Sequence, residues 1–308
     1  MTHSQSFDVI IIGGSYSGLS AAMALGRSLK KALVIDGSNP CNRQTPHSHN
    51  FITHDGRKPA EIAALAKQQV EQYPTIEFFD GVATKGVKSA NGFSITTERG
   101  ETFQGQNLIF ATGIKDIKPN IPGFSECWGI SVIHCPYCHG YEVRNKTTGV
   151  LANGDAGFEY VSLISNWTKD LTMFTNGKST LTATQVAALK DHHISVNEKE
   201  IQRIEHTNGQ LSGVFFKDDT RSSLDALYAR VPFEQHCSVP QQLGCEITEA
   251  GYIKTDTSQK TTIPGVYACG DNASGLRTVS NAVATGTLAG MMLNKEMVLE
   301  RFNLPILS

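Results

Sequence analysis

The chain has 308 residues, 40% of them hydrophobic and 18% charged, enough for two domains that each bury a core. A formal charge of −2 with no lysine or arginine block excludes a nucleic-acid-binding surface, and no run nears the roughly 20 apolar residues of a membrane span. The apolar run over 9–12 is too short for a signal-peptide core, and the seven cysteines are scattered but for one pair, so the expected setting is cytoplasmic rather than secreted.

An apolar strand over 7–12 leads into Gly13-Gly14-Ser15-Tyr16-Ser17-Gly18 and an Ala/Leu-rich helix over 19–29. A second strand over 32–35 ends at Asp36. Pro59 opens a helix over 59–73, with Ile62, Leu65, Ala66 and Val70 at helical spacing. Short strands follow over 76–79, 93–97 and 108–110, the last entering Ala111-Thr112-Gly113. Two prolines mark a linker over 115–122. The pattern then restarts: strand 149–152, glycine turn 153–157, helix 158–167, strand 171–174. A strand over 266–268 precedes Gly270-Asp271, and a long helix over 279–299 closes the pattern. Two βαβ openings imply an α/β chain with two Rossmann-like nucleotide-binding domains.

A phosphate-binding turn needs small residues, so that backbone can approach a pyrophosphate at a helix N-terminus. Gly13, Ser15 and Gly18 supply them, with serine in place of the second glycine. Asp36 stands where an acid should meet the ribose hydroxyls.

The cysteine pair is Cys135-Pro136-Tyr137-Cys138, flanked by His134 and His139. A C-x-x-C pair can close a disulfide ring, and a neighbouring imidazole that handles the thiol proton makes it a redox device. C-x-x-C-H also attaches c-type haem, and two cysteines with two histidines can ligate zinc, although these histidines crowd the pair too closely for an easy tetrahedron. A metal set from Cys41, His47, His49 and His54 has no compact spacing, and Trp128 and Trp167 are expected as core or interface aromatics.

The first glycine turn, Ala111-Thr112-Gly113, and the run from Thr262 to Asp271 together resemble the flavin motifs of the thioredoxin reductases. The resemblance spans nearly the whole chain. It implies a split FAD domain, 1–117 with 243–308, and an inserted NADPH-type domain, 118–242, that carries the disulfide. Beyond Gly13, Ser15, Gly18 and Asp36, it places FAD against Tyr16, Ser17, Arg43, Asn50, Val82, Ala111, Thr112, Gly113, Gly270, Asp271, Arg277, Thr278 and Val279. Cys138 would face the flavin and Cys135 would attack an outside disulfide. The family's usual aspartate after the pair is His139 here, an acid/base that titrates nearer neutrality. A homodimer is implied as well.

The second glycine turn departs from that pattern: Ala152 replaces its first glycine. At the next strand end, Thr175-Asn176-Gly177-Lys178 stands where the resemblance calls for a histidine and two arginines around the NADP phosphate. The expectation is a FAD-dependent thiol–disulfide oxidoreductase without ordinary NADPH use, its central domain open to another nucleotide or a second flavin. Its partner is a thioredoxin-like protein or a small dithiol, with ferredoxin as a further donor. Cys135–Gly140 with Tyr141-Glu142 resembles the gliotoxin and holomycin dithiol oxidases, which pass electrons to oxygen. An NADPH-dependent thioredoxin-disulfide reductase and a non-enzymatic flavin-linked redox sensor are the competing readings.

Overall fold

The computed structural model describes residues 6–302. The chain divides into two compact units: Met1–Arg43, Pro59–Lys115 and Phe233–Ser308 form the first, Gln44–Lys58 and Asp116–Pro232 the second. Where the chain passes between them, the short strands Ile114–Asp116 and Phe233–Gln235 pair with each other.

In the first unit, strand Ser6–Ile12 ends in the unbroken apolar run Val9–Ile12, whose alternate residues enter cores on both faces of its sheet. It pairs in parallel with Ala32–Asp36 on one side and Thr102–Phe110 on the other. Ile76–Asp80 extends the first side. Beyond Thr102–Phe110 come Val266–Ala268 in parallel and the antiparallel strands Gly92–Thr97 and Ala83–Ser89. Alternate residues serve opposite cores: Val9 and Ile11 pack with Leu25 and Leu293, while Ile10 and Ile12 pack with Phe93 and Phe110. Helices Tyr16–Arg27 and Val279–Arg301 approach backbone to backbone: a Cβ on Gly286 would lie 2.1 Å from the Ser17 carbonyl oxygen, and one on Gly290 2.7 Å from that of Ala21.

In the second unit the parallel strands run in the spatial order Ser195–Asn197, Leu171–Phe174, Thr148–Leu151, Ala226–Ala229, Val132–Ile133. Helix Gly154–Ile164 follows Thr148–Leu151, as the restarted pattern predicts, but begins four residues earlier than expected, at the glycine turn itself. An antiparallel sheet of Ile201–Thr207, Gln210–Phe216 and Arg221–Ser223 packs Val214 and Phe216 against Phe174 and Leu227. Among the described residues no helix is long and apolar enough to cross a membrane.

Candidate active site

The first glycine turn leaves strand Ser6–Ile12 at Gly13, whose φ of +106° suits only glycine. A Cβ there would sit 2.2 Å from the Ala111 carbonyl oxygen, and one on Gly18 would sit 1.8 Å from that of Gly13. The missing side chains let the turn's backbone pack closely at the start of helix Tyr16–Arg27. That helix has no acid in its first turn, and its N-cap Ser15 makes no side-chain capping bond, so its N-terminal N–H groups are left for an anion. The Gly14 N–H donates to Asp36 Oδ1 (3.0 Å), which fixes the carboxylate beside the turn.

Three other predicted segments converge on this unit. Ala111 is buried and its N–H donates to the Ile12 carbonyl (2.8 Å). Gly270 has φ +81°, lies against Ser17, and donates its N–H to Thr285 Oγ1 (3.1 Å). Asp271 lies 3.8 Å from Arg277, and Thr278 caps helix Val279–Arg301 by accepting from the Asn281 N–H (3.1 Å). Val82 sits against Gly37, just beyond Asp36. The Tyr16 hydroxyl, raised by burial, donates to the Pro59 carbonyl (3.0 Å) and accepts from Asn42. Arg43 is exposed at the end of its segment and bonds the Pro40 carbonyl.

Asn272, which the sequence reading did not single out, ties two of these segments together. It is fully buried, and its Nδ2 donates to the Phe110 carbonyl (2.9 Å) and Thr112 Oγ1 (3.1 Å). Its Oδ1 has no hydrogen-bond partner among the described residues. A buried amide oxygen without a donor is costly, and together with the uncapped start of helix Tyr16–Arg27 this fits a bound dinucleotide.

The cysteine pair lies in the second unit, just after the short strand Val132–Ile133. Cys135 is the N-cap of a single helical turn, Pro136–His139, with Pro136 at a position where its missing N–H costs nothing. Cys135 and Cys138 form a disulfide with Cα atoms 5.2 Å apart. The Cys138 N–H donates to Cys135 Sγ (3.1 Å), a contact that would favour a thiolate on Cys135 after reduction. The Tyr160 hydroxyl donates to the His134 carbonyl (2.8 Å), and Trp128 stacks on His134 with ring centres 5.7 Å apart. His139 is pushed down to about 4, first by burial and then by His49, so at neutral pH it is an uncharged imidazole able to accept a proton. Burial drives the Cys127 and Cys269 thiols the other way, to about 11 and about 12, which leaves them poor nucleophiles.

The segment Gln44–Lys58 groups with this unit, and Asn50 with it. His49, Asn50 and Asp55 line a cleft of about 290 Å³ together with Pro136, Tyr137, Tyr141, Glu142 and Trp167. Trp167 therefore belongs to the candidate site and not to the core. Gly140 allows this: a Cβ there would lie 2.8 Å from the indole nitrogen. The sequence weighed His49 only within a metal set and Glu142 only within the stretch that resembles the dithiol oxidases, and no local pattern pointed to Asp55.

The second glycine turn is closed by its own side chains. Asn153 caps helix Gly154–Ile164, its Oδ1 accepting from the N–H groups of Gly154 (2.8 Å) and Thr180 (2.9 Å). Its Nδ2 donates to the Lys178 carbonyl (2.9 Å), which folds the 178–180 stretch onto the turn. Asp155 occupies the first helical turn and accepts from Gln185 (2.8 Å). A pyrophosphate there would meet a carboxylate in the first helical turn, which helix Tyr16–Arg27 does not have.

The model of the pyridine nucleotide-disulphide oxidoreductase family matches residues 7–286. The chain belongs to this family. Among its relatives, the thioredoxin reductase tcpT of Claviceps purpurea (strain 20.1) is 33% identical over 97% of this chain and 96% of its own. The solved structure of an oxidoreductase from Agrobacterium tumefaciens is 36% identical with a TM-score of 0.89, over 96% of this chain and 99% of that one. That of HlmI is 29% identical with a TM-score of 0.92, over 98% and 96%. As a family member with a redox-active pair in a C-x-x-C turn, the chain is a disulphide oxidoreductase of the thioredoxin reductase type.

Proposed function

We propose that the chain is a FAD-dependent oxidase of small dithiols that works through Cys135–Cys138 and does not take electrons from NADPH. The observation that carries this reading is the disulfide, with an uncharged imidazole beside it and an aromatic-walled cleft next to its turn, in a unit whose nucleotide turn is closed by Asn153 and Asp155. A bound flavin supplies a two-electron store with which a disulfide can exchange. The first-turn N–H groups of helix Tyr16–Arg27 would hold its pyrophosphate, Asp36 its ribose, and the turn Gly270–Asn272 its ribityl chain.

The residues of the second unit account for the thiol chemistry. An incoming thiol gives its proton to His139, and its sulfur bonds to Cys135. The Cys135–Cys138 bond breaks, with its electron pair left on Cys138. A second thiol on the same molecule then attacks the mixed disulfide: its sulfur bonds to the first, Cys135 leaves with the electron pair and takes up the second thiol's proton, and the substrate departs as a disulfide. The cleft is at the small end of ligand sites, which favours a small molecule over a protein. One observation favours a thioredoxin-like protein instead: Tyr137 and Tyr141 are large exposed aromatics beside the disulfide.

Anaerobic mixing tests the reading. Dithiothreitol should bleach the flavin absorbance while micromolar NADPH leaves it unchanged, and air should restore it with release of hydrogen peroxide. Rapid bleaching by NADPH would sink the proposal.

A further inference from the structure

The cleft of about 290 Å³ in the second unit is walled in part by Pro136 and Tyr137, the two residues between the cysteines. A molecule seated there lies against the turn that carries the disulfide. The loop that brings Asp55 to this cleft is closed on itself: the Ser48 N–H donates to the Arg57 carbonyl (2.7 Å), the Gly56 N–H to that of Ser48 (2.9 Å), and the Asn50 N–H to Asp55 Oδ1 (2.8 Å). Glu142 reaches the same cleft from the stretch that follows the pair. The His49 ring stands between the two carboxylates, with Nδ1 3.6 Å from Asp55 Oδ1 and Nε2 3.6 Å from Glu142 Oε1. Neutral or protonated, one imidazole does not offset two carboxylates.

Among the described residues no lysine or arginine lines the cleft. Arg144, two residues beyond Glu142, bonds the Tyr141 carbonyl and lies over the Tyr141 ring, 3.9 Å from its centre. The other aromatic walls are Tyr137 and Trp167, which meet edge-on with ring centres 5.6 Å apart. Carboxylates beside accessible aromatic faces attract a small cation, by Coulomb attraction and through the ring quadrupole, and oppose an anion. The exchange itself puts negative charge on the substrate sulfur as its proton leaves. An ammonium group on the same substrate offsets what the carboxylates oppose.

We propose that the cleft selects its dithiol by charge: Asp55 and Glu142 are specificity-determining residues, and the substrate class is a small dithiol that carries an amine, with anionic dithiols disfavoured. This rests on the exchange reading above, which calls for a small dithiol but leaves its charge open. The two carboxylates act by their field and make or break no bond. Their side chains are 66% and 40% exposed, so the selection is a matter of a few-fold and weakens with salt.

The test is the anaerobic rate of exchange between the full FAD-loaded protein and three dithiols: dithiobutylamine (cationic), dithiothreitol (neutral) and dihydrolipoate (anionic). Acid quench and thiol counting read each rate. Dividing it by the rate of the same dithiol with oxidised mercaptoethanol removes differences in thiol reactivity. At neutral pH and low salt the divided rates should fall in the order cation, neutral, anion, by roughly threefold at each step, and high salt should shrink the steps. Asp55→Asn combined with Glu142→Gln should collapse the order. Wild-type protein that treats the three alike or prefers the anion would overturn the charge selection, as would an order that the double variant keeps. Should that variant not fold, the wild-type order and its salt dependence decide. Wild-type protein that exchanges with none of the three would overturn the reading on which the proposal rests.

Discussion

In the proposed exchange a single side chain, His139, takes the proton of the incoming thiol. Burial and His49 hold His139 down at about 4, below the usual 6.5 for an imidazole. His139 therefore stays uncharged across neutral and mildly acidic pH, so slowing of exchange above about 4 should follow the substrate thiol's own ionisation and not that of His139. His139→Asn should cost roughly 10²- to 10⁴-fold in exchange rate, the usual worth of a general base. The same depression has a stability consequence. Protonation is disfavoured in the fold, so the contribution of His139 is fully present above about 6.5 and is lost as pH falls from there toward about 4. Denaturant midpoints at pH 7 and pH 5 should differ more for wild type than for His139→Asn. His139 itself was visible in the sequence because it adjoins Cys138. Its charge state was not, since that depends on burial and on a loop some ninety residues upstream. Asn272 was hidden for a similar reason: what marks it is burial between two turns, and burial of one amide has no sequence pattern.

Secondary-structure elements were legible where one periodicity ran through them. Strand Ser6–Ile12, the glycine turn and helix Tyr16–Arg27 form one local unit, and each part corroborates the next. The hairpin Ile201–Thr207 to Gln210–Phe216 escaped notice because charged and polar residues interrupt its alternation. Its turn was nevertheless written in the chain: Asn208 and Gly209 both have positive φ, 52° and 80°, as a tight hairpin requires. Contacts between distant elements carried no signal at all. Gly286 reads as an unfavourable residue inside a helix, and only the structure explains it, by the Ser17 carbonyl 2.1 Å from where its Cβ would be. Gly286→Ala must push helix Val279–Arg301 away from the helix that follows the first glycine turn. The expected cost is about 1–3 kcal/mol, by analogy with overpacked cores. Because Ser17 belongs to the turn, flavin should be lost with it. A melting curve and the ratio of flavin to protein absorbance measure the two effects, and a stable variant with full flavin would contradict this account of the contact.

At the scale of the whole molecule, the two halves of the chemistry sit in different units: the first glycine turn in the first, the disulfide with His139 in the second. The segment Gln44–Lys58 shows how far chain order and spatial grouping can part, since it leaves the first unit after Arg43 and returns at Pro59. Each unit has its own core, so damage to one site should leave the other intact. Gly18→Ala places a Cβ 1.8 Å from the Gly13 carbonyl oxygen and should strip the flavin. The protein should still exchange its disulfide with dithiothreitol once, stoichiometrically, and release one oxidised dithiol per chain. Replacing both Cys135 and Cys138 with serine should do the reverse: full flavin absorbance and no dithiol exchange. In the proposed reaction, in which electrons pass from disulfide to flavin, neither variant should turn over. Turnover by the double-serine variant with a dithiol would mean that electrons reach the flavin directly, and the disulfide would then have no place in the reaction.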